Sequence, residues 1–170
     1  MPDWTKTMQQ TFEYYTVDPG TWRDVRKLNC ILNTSISRDS SVETLGSASI
    51  TTSESIGECY IRVYLVTIQN GVMEKHPLGT FLVQSPSYNF DGKVNNITLD
   101  AYTPLLELKE NPTPLGFSIL QNENILDAAY KITREQVRAP VIPTKKEDCL
   151  LSNFIANIDD KWITFIKDML

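Results

Sequence analysis

Over roughly the first hundred residues, apolar and polar side chains alternate in the period of two that marks half-buried strands. Thr11–Val17 interleaves aromatic and polar residues and is closed by the turn Asp18-Pro19-Gly20. Leu28–Arg38 alternates more weakly, turns at Arg38-Asp39-Ser40-Ser41, and is followed by Leu45–Thr52, so the two form a hairpin. Glu58–Gln69 is the densest run of β-branched and aromatic residues in the chain, which predicts a central strand with both faces partly covered. Asn70-Gly71 supplies a turn, and Val72–Pro77 leads through His76 into a further hairpin. Its strands are Gly79–Gln84 and Val94–Tyr102, with Asp91-Gly92 as its tip. Thr103 and Pro104 suit the cap and first turn of a short apolar helix ending at Leu108.

Beyond Asn111-Pro112-Thr113-Pro114 the pattern becomes helical. Glu123–Ala139 places Ile125, Ala128, Ala129, Ile132 and Gln136 on one stripe, sets Asp127 and Lys131 four apart outside it, and stops at Pro140. Val141–Lys146 reads as a linker and Cys149–Ile155 as a short apolar run. Asp159 is the expected cap of a last helix that puts Trp162, Phe165, Ile166 and Met169 on one face. That face ends at Leu170 in mid-pattern, and the expectation is a helix that docks on another subunit or continues in a longer chain. The whole reads as α+β: about seven strands in antiparallel hairpins, a barrel or sandwich over residues 1–110, then a helical segment over 111–170, the start of or an insertion before a second domain.

At 170 residues the chain can bury a substantial core. A net charge of −5 provides no basic footprint for nucleic acid. Arg23, Arg26 and Lys27, interleaved with Asp24, read as a solvated turn. No window approaches the ~18 apolar residues of a membrane-spanning helix and Met1–Gln10 lacks a signal-peptide core, which predicts synthesis in a cytosol. Cys30, Cys59 and Cys149 are odd in number and widely spaced, arguing against a disulfide framework or zinc site, and Cys59 and Cys149 read as buried small hydrophobes.

No catalytic, cofactor-binding or metal-ligating set can be assembled from the motifs. His76 is the single histidine and has no suitably spaced acid or thiol. The carboxylate pairs Glu107/Glu110, Glu147/Asp148 and Asp159/Asp160 fall at helix ends or in loops, where solvated caps are expected. There is no glycine-rich phosphate loop, nucleophile elbow or internal repeat. An enzyme is therefore not expected. Trp22 suits a plug at the end of a barrel or sheet, or a partner anchor, and with Tyr14 and Tyr15 it could form the aromatic platform of a carbohydrate- or receptor-binding β module.

The succession VDPGTWRD, SRDSSVETLGSASIT, ESIGECYIRVYLVT, HPLGTFLVQSPSYNFDGK and ITLDAYTPLLELKE, with the helices Ile125–Val137 and Trp162–Leu170 in similar placement, resembles the front part of bacteriophage tail hub proteins, the baseplate hub family of T4-like long-tailed phages. The resemblance spans about residues 11 to 170 and implies a β-barrel of the tail-tube type with a helical segment before a second barrel. It also implies a homo-oligomeric ring, usually a trimer, that joins the tail tube to the tip or spike among other baseplate proteins and leaves a channel through which DNA passes. The location implied is the virion, after synthesis in the bacterial host cytoplasm. Hub chains generally continue well past this length.

Overall fold

A computed structural model of the chain describes residues 2–90 and 95–170. The strands are β1 (Gln9–Val17), β2 (Asp24–Leu28), β3 (Ile31–Ser37), β4 (Ser47–Thr52), β5 (Tyr60–Gln69), β6 (Val72–Phe90), β7 (Asn95–Tyr102), β8 (Ser118–Ile119) and β9 (Phe154–Ile155). The helices are α1 (Leu106–Glu110), α2 (Ile125–Gln136) and α3 (Trp162–Met169). The protein has two compact units: Met1–Asp39 with Gly46–Thr103, and Ser40–Leu45 with Pro104–Leu170. The predicted tip at Asp91-Gly92 lies outside the described residues.

The first unit is one antiparallel sheet of seven strands in the order β2-β1-β5-β6-β7-β4-β3. One strand and one two-strand segment of chain are shared between its halves. Residues Val72–Leu82 of β6 pair with β5, and Leu82–Phe90 pair with β7. Likewise β2 pairs with β1 and β3 with β4, and only Asn29 and Cys30 separate β2 from β3. The chain thus turns a corner at two places, and the sheet folds over on itself. Leu28, Ile61, Val63 and Phe81 from one half meet Ala48, Ile50, Val83, Ile97, Leu99 and Ala101 from the other, in a core where Ile50, Ile61, Leu99 and Ala101 have no exposed surface. The expected barrel is corrected here. The ladder ends at β2 and β3 without a pairing between them, so the sheet stays open: these are successive lengths of one run of chain, β2 paired to β1 and β3 to β4.

Local chemistry explains the connections. Asn70 (φ 52°) and Gly71 (φ 77°) both take the left-handed conformation that a tight two-residue hairpin requires, joining β5 to β6. At Gly46, a Cβ would stand 2.8 Å from the Ser37 carbonyl, so the start of β4 can approach the end of β3 only as glycine. In β6, Pro77 and Pro86 occur at shifts in register, where the strand has a neighbour on one side only.

The second unit packs α1, α2, α3 and the short pair β8–β9 around Phe165, which has no exposed surface. Phe117 meets Trp162 and Phe165 edge-on, with ring centres 4.9 and 5.4 Å away, and Phe154 lies 5.0 Å from Phe165. Asn124 caps α2, its side-chain oxygen accepting from the N–H groups of Leu126 (2.9 Å) and Asp127 (3.1 Å). The helix ends at Gln136, before Pro140, with Ala128 and Ile132 buried on the predicted stripe. The cap expected at Asp159 is not made: Asp159 has φ 69°, and Lys161 precedes α3 without a side-chain cap bond. Of the expected apolar face of α3, Trp162, Phe165 and Met169 are buried within their own unit, whereas Ile166 is only partly covered. Leu170 remains largely exposed.

Replacing Phe165 with alanine removes the ring on which the aromatic cluster converges. The expected cost is about 3–5 kcal/mol of the second unit's stability, read by urea denaturation followed through Trp162 fluorescence.

Candidate functional site

Across β2, β1, β5 and β6, the sheet face opposite the core carries the densest array of polar contacts among the described residues. Glu13 on β1 accepts from Lys27 on β2 with one carboxylate oxygen and pairs with Lys75 on β6 through the other. Tyr15, two residues along and so on the same face, donates to Glu13 at 3.0 Å and accepts from Lys75 at 3.0 Å. The Lys75 ammonium also stands 5.0 Å over the Tyr15 ring and 5.8 Å over that of Tyr64, and these two rings meet edge-on at 5.7 Å. Asp24 on β2 reaches over β1 to β5, holding Arg62 at 2.7 Å and accepting the Tyr64 hydroxyl at 2.7 Å. The Arg62 guanidinium also donates to Thr80 Oγ1 (3.0 Å) and to the Trp22 carbonyl (3.2 Å).

The two lysines hold the Glu13 carboxyl down to about 2, and Lys75 is raised in return, chiefly by Glu13 and then by Tyr15. Burial, followed by the bond to Asp24, pushes the Tyr64 hydroxyl upward. Each carboxylate at the centre of the array is therefore paired with a cation, Glu13 with two lysines and Asp24 with Arg62. The array cross-links four strands and presents no free acid, base or nucleophile.

The sequence-derived candidates are dispersed. Trp22, with φ 55°, packs edge-on against Tyr60, the first residue of β5, at 5.0 Å and lies 5.8 Å from the Arg62 guanidinium carbon, so it covers the outer face at the end of that strand. Tyr15 shares that face, whereas Tyr14 packs against the core, so Trp22, Tyr14 and Tyr15 do not form one platform. His76 contacts Thr67 at 3.4 Å, Glu74 at 3.6 Å and the Trp4 ring at 6.0 Å between centres. There the N-terminal arm is also fixed by Asp3 and Gln69, which exchange two hydrogen bonds of 2.8 and 3.0 Å.

Glu107 is engaged by Arg138, whose backbone N–H donates at 2.9 Å and whose Nε stands at 3.5 Å, while Asp160 accepts from the Asn157 N–H at 2.7 Å. Cys30 and Cys59 are half-buried against the core and burial raises the Cys59 thiol; Cys149 is exposed, contrary to the expectation of a buried small hydrophobe. Sequence reasoning missed the cross-strand array, because Asp24 and Lys27 look like turn charges until β2 is paired with β1.

Two other surfaces stand out. Phe12, Tyr14, Thr34, Ile36, Val63 and Leu78 line a pocket of about 230 Å³ at the open seam between β1 and β3, with Phe12 more than half exposed. In the second unit, Leu45, Leu105, Leu108, Ile163, Ile166 and Leu170 line an apolar groove of about 420 Å³. Among the described residues, no cluster of His, Cys, Asp and Glu could hold a metal ion, and no helix is long and apolar enough to cross a membrane.

No family model matches the sequence, and no curated protein matches it. The fold, an α+β arrangement of a large antiparallel sheet followed by small helices, does have solved relatives. A tail protein from Neisseria meningitidis MC58 superposes with a TM-score of 0.63 at 11% identity, over 94% of this chain and 45% of that one. The 43 kDa tail protein of prophage MuSo2 from Shewanella oneidensis superposes with a TM-score of 0.53 at 8% identity, over 94% of this chain and 44% of that one. At these identities the likeness is one of fold, and the chain spans less than half the length of either protein.

Because Glu13 titrates near 2 when folded and near 4.5 when free, its contribution to stability is complete above about pH 4.5 and is lost as pH falls towards 2. Glu13→Gln is expected to remove part of the stability at neutral pH, about 1–2 kcal/mol given the solvent screening of the lysines. It should also flatten the acid limb of a denaturation-midpoint-against-pH curve.

Proposed function

We propose that the chain is a structural component of a bacteriophage tail: a hub ring protein at the distal end of the tail tube, joining tube to tip or spike around a channel for DNA. The observation that carries this reading is the fold, shared over 94% of the chain with a tail protein and with a prophage tail protein. Since the chain spans under half of each, the helical unit is read as the start of, or an insertion before, a further domain. The ring is a homo-oligomer of three copies. Its neighbours are the tube, the tip or spike and other baseplate proteins, and its place is the virion after synthesis in the host cytoplasm.

The open sheet supports assembly. β3, Ile31–Ser37, is an edge strand without a charged residue or proline, a form that monomeric proteins usually blunt, whereas β2 carries Asp24, Arg26 and Lys27. A closed ring in which each copy meets the next satisfies such an edge by heterologous contact. The net charge of −5 suits a lumen through which DNA moves without adhering. A structural rather than enzymatic role accords with the cross-strand pairing of the polar array on the sheet face.

In size-exclusion chromatography with light scattering, the expected particle has about three times the 19.3 kDa chain mass, and a ring is expected by negative-stain imaging. Ser35→Lys, a charge placed on the exposed side of β3, is expected to shift the particle towards monomer while leaving the far-UV circular dichroism unchanged. A strict monomer at high protein concentration would overturn the ring.

A further inference from the structure

From Pro140 to Asp148 the second unit carries a stretch with no helix, strand, turn or bend, and both its ends are fastened. At the leading end, Val137 is buried with its N–H on the Thr133 carbonyl at 2.9 Å, and Arg138 is tied to Glu107. At the trailing end, the Ile125 N–H donates to the Asp148 carbonyl at 2.7 Å, and the Leu150 N–H to that of Glu123 at 3.0 Å. Between these anchors, residues 142–149 are exposed, and Ile142 shows 90% of its surface.

Covalent geometry limits the conformations open to this strap. Proline fixes φ at Pro140 and Pro143, and the residue before each, Ala139 and Ile142, is excluded from the helical region by the ring that follows. Of residues 139–143, only Val141 is unrestricted. The favoured state is the polyproline II helix, whose three residues per turn align Pro140 with Pro143 on one edge and Ile142 with Lys145 on the next. An apolar ridge of two prolines and an isoleucine is thus followed, one turn on, by a positive charge. Glu147 and Asp148 lie beyond it, next to the trailing anchor.

We propose that Pro140–Lys146 is a recognition strap, bound in polyproline II form by a partner protein that offers a shallow groove of parallel aromatic rings with carboxylates at the end that receives Lys145. The spacing P-x-x-P-x-K and the cation fit such a groove in shape and in charge, and they do not fit a basic or a deep apolar site. Fastening at both ends lowers the ordering cost that a free peptide of the same sequence would bear. The inference stands apart from the tail assignment.

The test titrates the full 170-residue chain into an SH3 domain chosen for aromatic groove residues and an acidic specificity pocket, following the fluorescence of its groove tryptophan. Saturable binding is expected, and Pro143→Ala and Lys145→Glu are each expected to weaken it about tenfold or more. Lys167→Glu, on α3, is the control and should change nothing. The substituted side chains on the strap are exposed, so circular dichroism and melting should match the parent. In a double-mutant cycle, neutralising the domain's carboxylates should abolish the difference in affinity between the parent chain and the Lys145→Glu variant. Absence of saturable binding by the folded chain, or binding indifferent to Pro143→Ala, overturns the proposal. A Lys145→Glu effect that persists against the neutralised domain overturns the assigned direction of the charge contact.

Discussion

The first unit depends on two stretches of chain that pair with one half of the sheet and then with the other. β6 leaves β5 for β7 at Leu82, and the β2–β3 segment leaves β1 for β4 at Asn29-Cys30. These corners bring two inward faces together. An antiparallel sheet buries one face only if something covers it, and here the sheet covers itself. Leu28 is buried and Cys30 and Ile31 pack on the core, so one corner belongs to the hydrophobic interior it helps to create. On the opposite face the Glu13–Lys75–Tyr15–Tyr64 contacts hold β1, β5 and β6 in register where hydrophobic burial cannot.

Elements whose pattern repeats within a few residues were legible. The aromatic alternation of β1, the density of β-formers in β5, the Asn70-Gly71 turn and the stripe of α2 all report local physics, and each stands close to its expected place. Elements defined by distant partners were not. β2 looked like a polar turn because Asp24 and Lys27 are charged. As an edge strand it tolerates them, and their counter-charges, Arg62 and Glu13, come from other strands. The first half of β6 looked like a lead-in because His76-Pro77 reads as a breaker, yet proline costs a strand little where one side has no neighbour. The openness of the sheet was hidden for a related reason: alternation reports which side chains point inward and is silent on whether the last two strands meet.

The surfaces divide in the same way. His76 meets Thr67 and Glu74 as a surface histidine does, and of the carboxylate pairs Glu107 is tied to Arg138 and Asp160 to the Asn157 N–H. The supposed platform of Trp22, Tyr14 and Tyr15 fails on pleat geometry, since adjacent residues on a strand face opposite ways. The expectation of an unsatisfied terminal helix holds only for Ile166 and Leu170, which line the open groove; Phe117 and Phe154 cover the rest of α3, one from the loop before β8 and the other from β9, where no periodicity announces a packing role.

The position of β1 bears on how the protein is made. Its nine residues, Gln9–Val17, pair along their whole length with β5, which leaves the ribosome about fifty residues later. Until then β1 has only the short, charged β2 beside it, and a two-strand ribbon is marginal in water. During synthesis Tyr14 and Val17, which end up packed or buried, therefore travel without cover, and the β3–β4 hairpin is complete before the oldest strand finds its main partner. Nascent copies are most open to mispairing with one another in that interval, at the segment that ends up inside the sheet.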